Sequence, residues 1–388
     1  MPKVLRIINR FNIGGPTFNA TFLTRFISDD FETLLIGGLP EEGESDSFHI
    51  PKEYNVEPLL IEELKREPNF KTDQQAYIRI KKIIEEFKPD IVHTHASKAG
   101  AIGRKAAFSC KVPIVVHTYH GHVFHSYFPK WKTYIIKQIE RKLAKKTTAI
   151  ITISETQKKE ICEEHKIAAN DKTVVIPLGF DLDKFNLDLE EKRKNTREVF
   201  KIEQDEIAIA IIGRITKIKN HDFFLDVIEK ILSQNQMIKI KVFIVGDGDL
   251  KNHISNRVIN LNEKFGDKII MTSWIFDIAS FNPGMDIICL TSDNEGTPVS
   301  LIEAQASGIP IITTDVGGVR DIVSDGNTGF IIPKNDLNKY SEKLLELIQN
   351  KEKREAFSKN GWGFVKEKFH YSRLVKDVET LYLKLLKK

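Results

Sequence analysis

Three cysteines in 388 residues, Cys110, Cys162 and Cys289, lie far apart and form no Cys-x-x-Cys pair. That spacing excludes a disulfide framework or thiolate metal site and fits a reducing compartment. No apolar run exceeds the stretch from Ile207 to Ile212, far short of the ~18 residues needed to cross a bilayer. Lys3, Arg6 and Arg10 interrupt the apolar N-terminal stretch, so a cytoplasmic protein without a signal peptide is expected. Neither sign of charge dominates. The 58 Lys and Arg against 54 Asp and Glu leave a formal charge of +4, which excludes a disordered polyelectrolyte. No Gly-x-Gly-x-x-Gly follows a β-rich run, because Gly246-Asp247-Gly248 reaches Lys251 where the third glycine belongs. A nicotinamide dehydrogenase is therefore disfavoured.

What is there is unevenly placed. Residues 29–90 carry 16 acidic and 8 basic side chains, whereas residues 91–150 carry 11 basic and one acidic, Glu140. A basic first-half surface suits an anionic partner such as a membrane surface, and equally a solvated helix face. With no recognition module beside it, nucleic-acid binding is not expected. Short β-rich runs alternate with helical patterns, the signature of parallel α/β structure. Strands are predicted at 4–9, 32–36, 91–94, 114–118, 149–153 and 174–177, then at 207–213, 238–245, 269–271, 287–290, 309–314 and 329–332. Helices are predicted at 17–28, 74–87, 132–145, 221–233, 298–306, 337–349 and 371–386. Two such sets imply two Rossmann-like domains facing a cleft, with a seam in the charged stretch 182–203. The expected division is 1–180, 181–370, and a C-terminal helix at 371–388 that packs back toward the first domain.

Ligands of such sheets bind beyond the carboxyl ends of the strands. After the run at 207–212 comes Gly213-Arg214-Ile215-Thr216-Lys217-Ile218-Lys219-Asn220. Arg214 and Lys219 there suit a diphosphate, or are solvated loop cations. After 287–290 comes a polar loop with Glu295 and Gly296, then Thr297 as expected helix N-cap and Pro298 at the first helical position. Glu303 falls inside that helix. Helix N-terminal amides favour an anion, and two carboxylates can serve different hydroxyls of one polar ligand. Gly317-Gly318 follows the next strand.

The order Gly-Arg-x5-Asn, Gly-Asp-Gly, Glu-Gly-x6-Glu-Ala, Ser-Gly-x-Pro-Ile and Gly-Gly-x-x-Asp resembles glycosyltransferase family 4, whose members are retaining GT-B enzymes using nucleotide sugars. The resemblance spans nearly the whole chain and centres on the family's Glu-x7-Glu motif, here Glu295 to Glu303. It implies that Arg214 and Lys219 hold the donor diphosphate, that Glu303 binds the ribose hydroxyls, and that Glu295 lies near the donor sugar. Backbone groups at Gly296, Thr297, Pro298 and Val299 fall where members hold sugar and phosphate. Thr297-Pro298 stands where many members read Phe-Gly.

In the first half, Gly14-Gly15 precedes a helix, as a plain βα turn or as the family's glycine loop near donor phosphate and acceptor. Ile13 replaces the Lys of glycogen-synthase-type members, so an ADP-glucose polymerase is not expected. His93 and His95 are expected after one strand, and His117, His120, His122 and His125 cluster at the next. A metal site would need converging imidazoles, and the spacing matches no zinc pattern. By resemblance, Tyr119-His120-Gly121 matches the His-Gly whose imidazole contacts the transferring sugar. His95 is then a candidate for the acceptor side, and Ser154 matches a recurrent position. Residues 130–146 form a basic amphipathic helix, either core-packed with a basic outer face or set on a membrane surface.

The resemblance implies transfer from a nucleotide diphosphate sugar, UDP-sugar first, to a saccharide or lipid-linked acceptor of cell-surface polysaccharide synthesis. It also implies domain closure that excludes water and joins donor to acceptor, and front-face attack that retains the configuration. Glu295, His120, Arg214 and Lys219 are the catalytic candidates. The cations and helix amides stand where a metal otherwise would, so neither metal nor other cofactor is expected. A GT-B nucleotide-sugar epimerase and a non-catalytic nucleotide-sugar-binding subunit are the alternatives.

Overall fold

A computed structural model describes residues 1–11, 15–40, 48–65, 67–121, 129–235 and 237–387. In the first sheet, β1 (Lys3–Arg10), β2 (Glu32–Gly38), β3 (Leu59–Leu60), β4 (Ile91–His95), β5 (Ile114–Tyr119), β6 (Ala149–Thr152) and β7 (Thr173–Val175) lie in the order β3-β2-β1-β4-β5-β6-β7. In the second, β8 (Ile207–Ile212), β9 (Ile240–Val245), β10 (Ile269–Ser273), β11 (Ile287–Leu290), β12 (Ile311–Thr314) and β13 (Gly329–Ile332) lie in the order β10-β9-β8-β11-β12-β13. All pairings are parallel. The strands read as Ile/Val-rich runs because helices cover both faces of such a sheet. In each sheet the order reverses beside the first strand, between β1 and β4 and between β8 and β11. Doubly wound sheets bind ligands at that switch point.

Two compact units follow, Met1–Phe180 with Phe369–Lys388, and Asp181–Lys368. The second packs Phe224, Leu225, Ile228 and Ile231 of the helix His221–Gln234 against Ile209, Ile211 and Val242. The C-terminal helix Tyr371–Leu386 lays Leu374, Val375, Val378 and Tyr382 on Val4, Leu23, Ile91 and Val116 of the first unit. Its entry is pinned by the backbone: Phe180 N–H donates to Phe369 O at 2.8 Å, and Tyr371 N–H donates to Phe180 O at 3.0 Å.

The charged stretch expected as a seam holds the helix Leu189–Val199, which belongs to the second unit. Arg193 and Arg197 tie it to Asp286 at 2.7 and 3.1 Å. The two-residue β3 and the helices Ser97–Ser109, Lys251–Phe265 and Lys351–Phe369 were not among the expected elements.

Candidate functional site

In the second unit, the loops after β8, β9, β11 and β12 are bonded into one surface. The Asp293 N–H donates to Ile218 O at 2.8 Å, and Thr291 Oγ1 donates to Asn220 O at 3.0 Å, joining the loops after β11 and β8. Gly246 (φ +138°) brings the β9 loop so close to Gly213 that a Cβ would lie 2.0 Å from the Gly213 carbonyl oxygen. Gly317 (φ +51°) does the same beneath Glu295, where a Cβ would lie 1.8 Å from the carbonyl oxygen. Only glycine satisfies both the positive φ and that approach.

On this surface Lys219 Nζ lies 2.5 Å from Glu295 Oε1, and Ser292 Oγ donates to the same oxygen at 2.6 Å. Ser292 is itself fully buried and held by Thr314 Oγ1, which donates to the Ser292 carbonyl at 2.7 Å. The structure thus brings Lys219 and Glu295 together with both groups largely screened from water. Arg214 stands exposed on the same loop as Lys219. Sequence reasoning missed Ser292, since a serine near a loop glutamate carries no distinguishing spacing.

The helix begins at Val299, not at Pro298. Pro298 has ψ 93° and is the N-cap, so Thr297 is not the capping residue, and no side chain caps the first turn. The extended ψ of Pro298 delays the helix by one residue. It leaves the helix N-terminus, beside Gly296 and Thr297, without a side-chain acceptor. Gly308 (φ +69°) follows the C-cap Ser307 and ends the helix. Glu303 is partly buried on the helix. Burial pushes its carboxyl up to about 7, with the nearby Lys184 pulling the other way.

In the first unit, Gly14, His122 and His125 lie outside the described residues, and Gly15 opens the helix Gly15–Arg25. His93 and His95 are structural groups, both fully buried within β4, which runs one residue past its expected end. The pattern Ile91-Val92-His93-Thr94-His95 hid this, because polar residues in a strand usually mark its end. His95 Nδ1 and His120 Nε2 share a hydrogen bond at 2.9 Å. Burial pushes His120 down to about 3 and His95 well below its ordinary value, so both imidazoles are neutral at physiological pH. Among the described residues no three His, Cys, Asp or Glu side chains converge as a metal site. Ser154 caps the short helix Glu155–Lys159, accepting from the Gln157 N–H at 3.1 Å.

The basic helix spans Lys130–Lys146 and packs on the core of the first unit through Ala144 and Ile136. It buries Glu140 and Ala144, while Trp131 (67% exposed), Tyr134, Ile135 and Ile139 face outward. Glu140 Oε2 accepts from Arg104 at 2.7 Å and from Tyr119 Oη at 2.6 Å, both buried. That inward carboxylate turns the aromatic and aliphatic face to the surface. Lys142, Lys145 and Lys146 are exposed, while Arg141 donates to the carbonyls of His165 and Lys166 at 2.7 and 3.1 Å. Among the described residues no helix is long and apolar enough to cross a membrane.

Comparison with known proteins gives the family. The family Glycosyltransferase Family 4 matches residues 22–184, and Glycosyl transferases group 1 matches residues 192–362. The UDP-Gal:alpha-D-GlcNAc-diphosphoundecaprenol alpha-1,3-galactosyltransferase of Escherichia coli is 31% identical over 339 residues, covering 86% of this chain and 85% of that protein. The capsular polysaccharide biosynthesis glycosyltransferase CapM of Staphylococcus aureus is 29% identical over 341 residues, 87% of each chain. Anabaena Alr3699/HepE, solved in complex with UDP, superposes with a TM-score of 0.81 at 16% identity, over 98% of this chain and 99% of that one. The fold is GT-B, and the chain belongs to glycosyltransferase family 4.

Proposed function

We propose that this glycosyltransferase moves a sugar, with retention, from a UDP-sugar to a lipid-linked saccharide acceptor in surface polysaccharide synthesis. The observation that carries the reading is the Lys219–Glu295–Ser292 cluster at the uncapped start of the helix Val299–Ala306. It sets a cation, an oriented carboxylate and a helix N-terminus beside one another at a switch point. A departing diphosphate needs positive charge that is in place before the bond breaks. Lys219, Arg214 and the amides around Gly296, Thr297 and Val299 supply it. Glu295 has one oxygen held by Lys219 and Ser292 and offers the other to sugar hydroxyls. Glu303 accepts from the ribose hydroxyls. His120, as a neutral imidazole, works by hydrogen bonding to the transferring sugar. Gly15 serves the acceptor side in this reading.

Relatives favour the donor and acceptor classes: the Escherichia coli protein uses UDP-Gal and a diphosphoundecaprenol-linked GlcNAc by its name. The outward face of the helix Lys130–Lys146 fits an anionic bilayer, where such a carrier resides. Its aromatic side chains enter the interface and Lys142, Lys145 and Lys146 meet the headgroups. That fit supports a peripheral location at the inner face of a cytoplasmic membrane as part of this reading.

The test is titration calorimetry with UDP, GDP and ADP, then transfer assays with UDP-hexoses and a diphosphoprenyl-linked sugar, each with and without EDTA. Selective UDP binding and transfer with retained configuration, both insensitive to EDTA, are expected. Turnover of the donor without acceptor would favour an epimerase. Absence of binding to all three nucleotides would overturn the donor site.

A further inference from the structure

Behind His120 the first unit carries buried polar rings that the proposed reaction does not use. His93 Nδ1 pairs with Tyr382 Oη at 2.6 Å and His93 Nε2 with Thr118 Oγ1 at 2.7 Å, so this imidazole is held at both nitrogens. Its ring lies 4.2 Å from that of His95, centroid to centroid, at 31°. His95 in turn bonds His120 through Nδ1 at 2.9 Å, while His95 Nε2 and His120 Nδ1 have no partner. Immediately after His95, Ala96 adopts φ 64° and ψ 165°, which a residue with a Cβ rarely tolerates. The backbone is therefore strained at the point that ends β4, directly after His95. Arg6, also fully buried, lies over the Tyr382 ring at 5.9 Å.

We propose that His95 is a positioning residue for His120, whose shared hydrogen bond fixes the one tautomer that His120 presents to the sugar. An imidazole pair joined nitrogen to nitrogen holds a single proton in the bond. With His95 Nδ1 as the donor, His120 Nε2 accepts and the one proton of neutral His120 sits on Nδ1. A lone His120 would sample both tautomers and both ring flips, and half of those states would offer the wrong group. His93, locked by Thr118 and by Tyr382 of the C-terminal helix, is the wall against which His95 is stacked. Burial keeps the pair neutral, so the bond persists across the physiological pH range. This inference rests on His120 acting at the sugar, but the bond and the tautomer can be read without any turnover.

The experiment is nitrogen NMR of the full chain labelled in histidine, with His120 assigned by its loss in His120→Asn. The wild type should show a coupling across the His95 Nδ1–His120 Nε2 bond and one tautomer at His120. His95→Phe keeps a ring of similar size and should shift His120 toward a tautomer mixture. His95→Asn, whose amide stands near the position of Nδ1, should restore the single form. In the transfer assay, His95→Phe should lose about ten-fold in kcat, with KM for the nucleotide sugar within about two-fold of wild type. His95→Asn should recover most of the rate. Absence of the coupling in the wild type, or an unchanged His120 tautomer in folded His95→Phe, would overturn the proposal. Should His95→Phe fail to fold, the wild-type coupling alone decides. A wild type with the coupling but no transfer activity would sink the functional reading and leave the positioning intact.

Discussion

Glu303 puts a carboxylate where burial opposes its charge, and in the proposed ribose role this gives nucleotide binding a pH dependence of definite sign. The raised value near 7 means that the acceptor form is populated only as pH rises through neutrality. Ribose hydroxyls bond to the charged form, so UDP affinity should increase about ten-fold between pH 6 and pH 8. Glu303→Gln should bind more weakly and lose that slope; calorimetry across the range checks it, and a flat wild-type profile would remove Glu303 from the ribose. Stability without ligand runs the other way. A raised carboxyl pKa contributes stability below the unfolded value, near 4.5, and that contribution is lost as pH climbs through 7. Glu295 differs because one oxygen is already held by Lys219 and Ser292. Glu295→Ala should therefore reduce kcat by about ten- to hundred-fold, the scale of one charge-assisted hydrogen bond, while UDP binding changes little. Equal turnover of Glu295→Ala and wild type would sink the assignment. Ser292→Ala should produce a smaller loss in the same direction.

At the scale of elements, the helix Lys130–Lys146 shows how much of the fold a sequence displays and where it stops. Its bounds were legible to within two residues, because Trp131, Ile135 and Ile139 recur every fourth position. Which face is buried was not legible. The periodicity points to the aliphatic stripe, yet the buried group is Glu140, paired with Arg104 from the helix Ser97–Ser109. An ion pair between residues far apart in sequence leaves no local pattern. The partner helix was itself hidden. Its small residues exist for close packing, with a Cβ on Gly100 falling 2.4 Å from His117 and one on Gly103 2.9 Å from Ile7. By contrast, β11 and the loop carrying Glu295 were readable from order and spacing, because a switch-point loop must follow its strand directly. Breaking the buried pair with Glu140→Ala should destabilise the first unit by about 3–5 kcal/mol, and the double change Arg104→Met with Glu140→Leu by far less. Thermal unfolding of the two variants against wild type tests this; an equal loss in the double variant would contradict it. On the outer face, each lysine near an anionic surface is worth about 1 kcal/mol. Changing Lys142, Lys145 and Lys146 to Gln should thus weaken binding to anionic vesicles about a hundred-fold. Unchanged vesicle binding would return this face to bulk solvent.

For the whole molecule, the decisive feature is that the chain does not end where its second unit ends. Residues 369–388 return to the first unit, so its core closes only after the second has been made. Leu374, Val375, Val378, Tyr382 and Leu385 all lie in the first unit's core, with Tyr382 fully buried. Burying such side chains stabilises by about 1.5–3 kcal/mol each. Five of them together match the entire stability of an ordinary domain, about 5–15 kcal/mol. Removing residues 371–388 should consequently unfold the first unit while sparing the second, whose core draws on none of these residues. Limited proteolysis should then leave a resistant fragment near residues 181–368 that still binds UDP, because Lys219, Glu295 and Glu303 all belong to it. Tyr382→Phe makes the same point more gently. It keeps the buried ring and deletes the hydroxyl that pairs with His93, so it should fold, bind UDP as wild type, and lose transfer only through the histidine row. A truncated chain whose first unit resists proteolysis as well as wild type would show that the C-terminal helix is dispensable to that core.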